Sequence, residues 1–290
     1  MRLGYYLVLG LGLTGAINQG QKVRELCSGF VSPELEKILR IQNEMNFQAG
    51  LTKISYNKVI DKVFNVYNPI FKAKGWTFKV ERLWSDNTVN AQAEDQGDIK
   101  VVRLFGGLAR LAEISEDGFA LVFCHETGHH LGENPLYPGS TLADEGQSDY
   151  FGVLKCFKKV FETDDNIKLM SQAEIPAEIQ KQCTNFYPKS PEDIALCERS
   201  SLAGLNLGII LAGDPSQVSV ENHDTSVVTE TSHEHPEAQC RLDTYLYGSY
   251  CTTSHMVDFD ANDENLGACY KEMPNFQGGE RPLCWFKPKN

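Results

Sequence analysis

The sequence predicts an α+β fold that is mostly helical, with a small sheet just ahead of a central buried helix. Three observations carry this. Apolar residues recur at helical spacing in several segments, as at Val59, Val63, Val66 and Ile70. Residues 76–104 turn instead to short β-branched and aromatic runs broken by turn residues. The run Asp117-Gly118-Phe119-Ala120-Leu121-Val122-Phe123-Cys124 is then apolar enough for a helix surrounded by protein.

Each element has its own reason. Ser32-Pro33-Glu34 reads as N-cap, helical proline and first-turn acid, opening a helix toward Ala49. A second helix is expected from about Tyr56 to Ala73, ended by Lys74-Gly75. Trp76 to Val80, Val89 to Ala93 and Ile99 to Leu104 read as strands, the last two joined by a polar turn at Glu94 to Asp98. Ser115 or Asp117 can cap the buried helix, and Gly132 follows near its end. After a loop at Glu133 to Gly139, Ser140 or Thr141 can cap a helix reaching about Phe161. Ser190-Pro191-Glu192 opens another helix, Thr225 to Thr231 is β-rich, and a last helix begins near Pro236. The final forty residues are rich in Gly, Pro, Asn and Cys and read as a disulfide-held cover, about 249–290, rather than a separate domain.

Composition narrows the class. Arg2, the apolar Leu3 to Leu13 and the small Thr14-Gly15-Ala16 read as a signal peptide over 1–16, too short to span a bilayer, which takes about 20 apolar residues. If the leader is retained, the chain is anchored instead. No other segment reads as a stable membrane span, so the mature chain, 17–290, is expected to be one exported domain, periplasmic or secreted. The net charge of -12 repels a phosphate backbone and excludes nucleic acid as a partner. Nine cysteines in an exported chain read as disulfides with one thiol left over. Cys124, beside the motif below, is the candidate for that thiol. Acidic Asp258, Asp260, Asp263 and Glu264 fail the calcium-loop spacing, because Asp263 stands where such a loop needs glycine.

The chemistry concentrates at His125-Glu126-Thr127-Gly128-His129. On a helix, histidines four apart share a face and can reach one zinc ion, with Glu126 beside it as general base. A catalytic zinc takes three protein ligands and keeps one position open for water. Glu145 is the expected third ligand, with Asp144 and Asp149 as competitors. Asp149, four on from Glu145, is assigned instead as the acceptor that orients a ligand histidine from behind, with Asp144 in a similar supporting role. His130 points off the ligand face. Cys156, eleven residues past Glu145, lies about 16 Å along a helix and too far to ligate. A later cluster, His233-Glu234-His235-Pro236 with Arg241, offers His235 as donor to a developing oxyanion, or as a zinc ligand in a resting form. Arg241 reads as electrostatic support or as a clamp. His223 and His255 have no supporting context.

With these residues in order, the chain resembles the HtpX-like and CAAX-prenyl-protease family of zinc metallopeptidases, among the gluzincins. The matching pieces are Asn90-Ala91-Gln92-Ala93, Ile99 to Val102 with Gly106-Gly107-Leu108, the zinc helix at His125 to His129, Glu145-Gly146-Gln147-Ser148-Asp149, and His235-Pro236 with Arg241. They run over about 90–241. Lacking the family's membrane spans, the chain is similar to its soluble exported bacterial branch. The resemblance implies a zincin fold, one zinc per chain and endopeptidase activity on polypeptides. It also implies that Asn90, Ala91, Gln92 and Ala93 form an edge strand on which extended substrate adds by main-chain pairing. Ala109-Arg110 departs from the family after the Gly-Leu segment, and the cysteines have no counterpart in its motifs.

The expected function is a zinc metalloendopeptidase, with Glu126, His235 and Arg241 as its catalytic groups. The alternative is a catalytically silent zinc-containing binding or chaperone module of the cell envelope. Substrate specificity, disulfide pairing and oligomeric state are not legible in the sequence.

Overall fold

The computed structural model describes residues 25–27, 29–45, 50–274 and 276–289. The signal-peptide reading at 1–16 lies outside them. Within them the chain is α+β, mostly helical with one small sheet.

Strand β1 (Glu25–Leu26) precedes helix α1 (Pro33–Met45); the expected continuation of α1 to Ala49 falls outside the described residues. Helix α2 (Lys53–Ala73) begins three residues before the expected Tyr56, because the Thr52 side chain accepts from the Ser55 amide and caps it. Its buried face is Tyr56, Val59, Ile60, Val63, Tyr67 and Phe71, the three-and-four spacing of a core-facing stripe. Strands β2 (Thr77–Leu83), β3 (Ala91–Asp95) and β4 (Ile99–Phe105) follow, each within a few residues of its sequence prediction. The sheet order is β1-β3-β4-β2. β3 runs antiparallel to both β1 and β4, and β2 runs parallel to β4. After the short α3 (Gly106–Ala109) comes α4 (Glu116–Leu131), capped by Ser115, whose hydroxyl accepts from the Gly118 amide.

Every residue of α4 from Gly118 to Leu131 is buried. Phe71 of α2, Phe78 of β2 and Phe123 of α4 form a ladder with ring centroids 4.1 and 6.0 Å apart, which joins helix, sheet and helix into one core. Helix α5 (Glu145–Phe151) starts later than Ser140 or Thr141 suggested. Asp144 is its cap, accepting from the Gln147 amide. It continues through a π-helical stretch (Gly152–Phe157) into α6 (Lys158–Phe161), so the run to Phe161 stands as expected. Gly128 and Gly152 let this helix approach α4. A Cβ on Gly128 would meet the Ser148 backbone at 2.9 Å, and one on Gly152 the His125 amide at 3.2 Å.

Two short helices, α7 (Asn166–Met170) and α8 (Ala177–Phe186), lead to α9 (Pro191–Ala212), capped by Ser190. By length and composition α9 could cross a membrane, contrary to the sequence reading that nothing past the leader could. Two-thirds of its apolar window is nonetheless buried in the protein, as in a core helix. The β-rich run Thr225 to Thr231 forms no strand. It instead donates a single backbone bond to the cover, from the Val228 amide to the Leu283 carbonyl. Helix α10 (Ala238–Tyr250) packs on α9 and α5.

Four disulfides join Cys124–Cys156, Cys183–Cys197, Cys240–Cys284 and Cys251–Cys269. They suit an oxidising, extracellular compartment. The expectation that Cys124 is the free thiol is wrong. Bringing α4 and the π-helical stretch together sets Cys124 against Cys156, and the free cysteine is Cys27. The last two bridges hold the C-terminal cover, whose Trp285 is fully buried and donates to the Thr244 hydroxyl at 3.0 Å.

Candidate metal centre

The helical turn of α4 and the first turn of α5 bring His125, Glu126, His129 and Glu145 together, all fully buried. His125 Nδ1 donates to Asp149 Oδ1 at 2.7 Å, and His129 Nδ1 donates to the Ala143 carbonyl at 2.7 Å. Carboxylate and carbonyl oxygens only accept, so each ring carries a proton on Nδ1, and Nε2 is the nitrogen that can bind a cation. The two Nε2 atoms stand 3.2 and 3.7 Å from oxygens of Glu145. Among the described residues neither nitrogen has a hydrogen-bond partner. Buried ring nitrogens without a partner are costly. Ligands on one tetrahedral zinc at ~2.0–2.1 Å stand roughly 3.3 Å apart. The three side chains, with donor atoms all within 4.8 Å of one another, therefore fit a metal ion.

The charges agree. Burial alone would raise Glu145, but His129 and His125 hold it well below the usual carboxylate range. Burial drives His129 down to about 4 and keeps that ring neutral. Burial opposes charge on His125 as well, yet Asp149 and Glu145 carry it up to about 9. Without a metal the His125 ring is therefore a cation at neutral pH, and the negative oxygens around both rings favour a positive charge at the centre. Burial pushes Glu126 up to about 8, which makes it a group able to take and return a proton.

Asp149 stands behind His125. Burial disfavours its charge, but Arg241 and His125 hold its carboxyl down to about 2. Tyr245 donates to the same Oδ1 at 2.6 Å. Arg241 is not aimed at the centre. It is buried, donates to both Asp149 oxygens and to the Phe30 carbonyl, and so acts through Asp149. Asp144 does not support a histidine ligand. It caps α5 and faces His233 at 3.3 Å, because the helix starts one residue after it. His130, expected off the ligand face, donates to the Val101 carbonyl at 3.2 Å and is buried.

His235 Nε2 donates to the Gly29 carbonyl at 2.7 Å and lies 3.5 Å from Glu145. A nitrogen that donates its proton cannot also ligate, so the resting-ligand reading of His235 does not fit this arrangement. Asn90 to Ala93 do lie beside the centre, but not as an open edge. β1 pairs with β3 through Glu25↔Asp95 and Leu26↔Glu94, and Cys27 donates its amide to the Ala93 carbonyl at 3.0 Å. Asn90 clasps the Val31 backbone from both sides, at 3.0 Å each.

Three contributors escaped the sequence reading. Tyr137 donates to Glu145 Oε1 at 2.5 Å and lies in a loop with no periodicity to flag it. Tyr245 is four residues past Arg241 on one helix face, a spacing that could have linked the two. Cys27 was visible only as an odd count. Its Sγ lies 3.6 Å from Glu126 Oε2, and burial followed by the Glu126 charge raises it well above the ordinary thiol range. Compared with protein-family models, with curated proteins and with solved structures, the chain finds no match.

Proposed function

We propose that this chain is a zinc-dependent endopeptidase of the gluzincin kind, exported from the cell, that hydrolyses polypeptides. The observation that carries the reading is the convergence of His125 Nε2, His129 Nε2 and a Glu145 oxygen, with Glu126 between the two histidines in sequence and buried beside them. Two imidazoles and one carboxylate at tetrahedral spacing suit zinc better than the oxygen-rich sets of calcium or magnesium. Zinc held there supplies Lewis acidity, which acidifies water and polarises a carbonyl.

The remaining work falls to the chain. Glu126 takes the proton from the attacking water and returns it to the leaving amine, and burial keeps its two forms close in energy near neutral pH. His235 Nε2–H already holds one backbone carbonyl, that of Gly29, and can make the same bond to the oxygen that turns negative in a substrate. Asp149, fixed by Arg241 and Tyr245, keeps His125 in the tautomer that leaves Nε2 for the metal. β3 can supply main-chain pairing to an extended substrate once β1 leaves it.

The test is a metal analysis paired with cleavage of an unfolded protein by wild type and Glu126→Gln. One zinc per chain in both, with turnover lost only in the variant, is the expected result. Metal retained with no turnover in either, under conditions that expose β3, would leave a binding module instead.

A further inference from the structure

With His125, Glu126, His129 and Glu145 fully buried, a polypeptide reaches them only if something moves. The residues just before α1 lie against them and are held as a substrate would be. Glu25, Leu26 and Cys27 pair with β3, the Ala93 amide donates to Cys27 Sγ at 3.1 Å, and His235 binds the next carbonyl but one, at Gly29. Cys27, Glu126 and His129 offer a sulfur, a carboxylate oxygen and a ring nitrogen within 4.8 Å of one another. Sulfur and nitrogen sharing a tetrahedral zinc stand roughly 3.6 Å apart, so the thiol is within on the order of 1 Å of ligand spacing from His129.

The two sides of Gly29 belong to different clusters. Phe30 and Val31 sit in the main core, where Phe30 meets the His125 ring edge-on at 5.1 Å and lies under the Arg241 guanidinium at 4.6 Å. Cys27 belongs instead to a small separate cluster with Ala93 and Leu142, and its neighbour Leu26 is 55% exposed. Gly29 between them has φ +93, a conformation that favours glycine, and a Cβ there would meet the Asn90 side chain at 2.9 Å. The core therefore anchors one side of the glycine, while few apolar contacts hold the other.

We propose that Glu25–Cys27 is a built-in latch, lying along β3 as an extended substrate would and setting the Cys27 thiol in the corner of the centre where the reacting water must sit. The latch rests on the metallopeptidase reading above. Ligation breaks the S–H bond, forms the sulfur–metal bond and releases the proton, from a sulfur that stands 3.6 Å from Glu126 Oε2. With the water's place filled by sulfur, the chain is latent. Opening frees residues 25–27 from β3, with Phe30 and Val31 staying in the core.

The full chain loaded with Co2+ in place of zinc is expected to show a sulfur-to-cobalt charge-transfer band in the near ultraviolet. Cys27→Ala and Cys27→Ser chains, loaded to the same stoichiometry and matched by circular dichroism, are expected to lack it. Both variants should also cleave an unfolded protein about tenfold faster than wild type, the change that ~1.4 kcal/mol in the latch equilibrium produces. A wild-type spectrum without the sulfur band, a band that survives in Cys27→Ala, or equal cleavage by all three chains overturns the latch. Cobalt bound by none of the three is a different failure, because it removes the metal centre itself.

Discussion

Arg241 grips both oxygens of Asp149, donating from Nε at 2.7 Å and from Nη2 at 2.9 Å, with both side chains buried. Asp149 in turn accepts from His125, so an arginine on α10 fixes a ring on α4 through a carboxylate on α5. Arg241→Ala leaves that carboxylate buried without its main cation. Breaking such a pair costs roughly 3–5 kcal/mol of stability, and loss of the partner behind a ligand histidine costs about ten- to a hundredfold in metal affinity. Asp149→Asn, nearly the same shape, should lose metal affinity while folding better than Asp149→Ala. Chelator competition and urea unfolding on the same samples read both effects, and an unchanged metal affinity in all three variants rules out this role.

Glu145→Ala removes a ligand and should strip the metal, whereas Glu126→Gln should keep it and lower turnover by about 10²–10⁴. Stoichiometry by elemental analysis separates the two. If the Asp149 variants lose all metal while Glu145→Ala keeps it, the third ligand has been misassigned.

The bridge between Cys240 and Cys284 spans 44 residues and ties the buried Trp285 to α10. Chain-entropy arguments give such a loop about 4 kcal/mol. The double variant Cys240→Ala, Cys284→Ala should accordingly lower the urea midpoint, and limited proteolysis should cut first within 253–290. Cleavage that starts elsewhere would mean the cover does not depend on this bridge.

Burial draws Lys155 and Lys158 down to about 7, against an ordinary value near 10.4 in an unfolded chain. A lysine lowered in the folded state costs the most stability below pH 7, where both states are protonated. The cost shrinks as the folded state sheds its proton, so stability should rise between about pH 7 and 9.5. Lys158 donates to the Ser249 and Cys251 carbonyls and to the Tyr187 hydroxyl, which favours its charge, while among the described residues Lys155 donates to the Ser254 carbonyl alone. Lys155→Met should therefore flatten the rise more than Lys158→Met does. Urea unfolding across that window is the measurement, and a flat wild-type profile contradicts the idea.

Local rules made much of this chain readable. Ser115 and Ser190 cap helices where their sequence context suggested, the apolar stripe of α2 faces the core, and strands β2, β3 and β4 lie close to their expected positions. His125 and His129 share a helix face because four residues are about one turn, a fact of covalent spacing that no tertiary contact can alter. The sequence by itself therefore determined the helix that carries the centre, the pairing of those two histidines and the carboxylate of Glu126 between them.

Contacts between distant segments decided the rest. Asp144 became a cap instead of a support because α5 begins at Glu145, and Cys124 found Cys156 because two small glycines let the helices close. Arg241 went behind Asp149, and the strand expected to be open at Asn90 to Ala93 was taken by the chain's own β1, which carries Cys27 to the centre. Such choices depend on which surfaces meet after collapse, and partners 66 or 92 residues apart leave no period or spacing in the sequence to announce them.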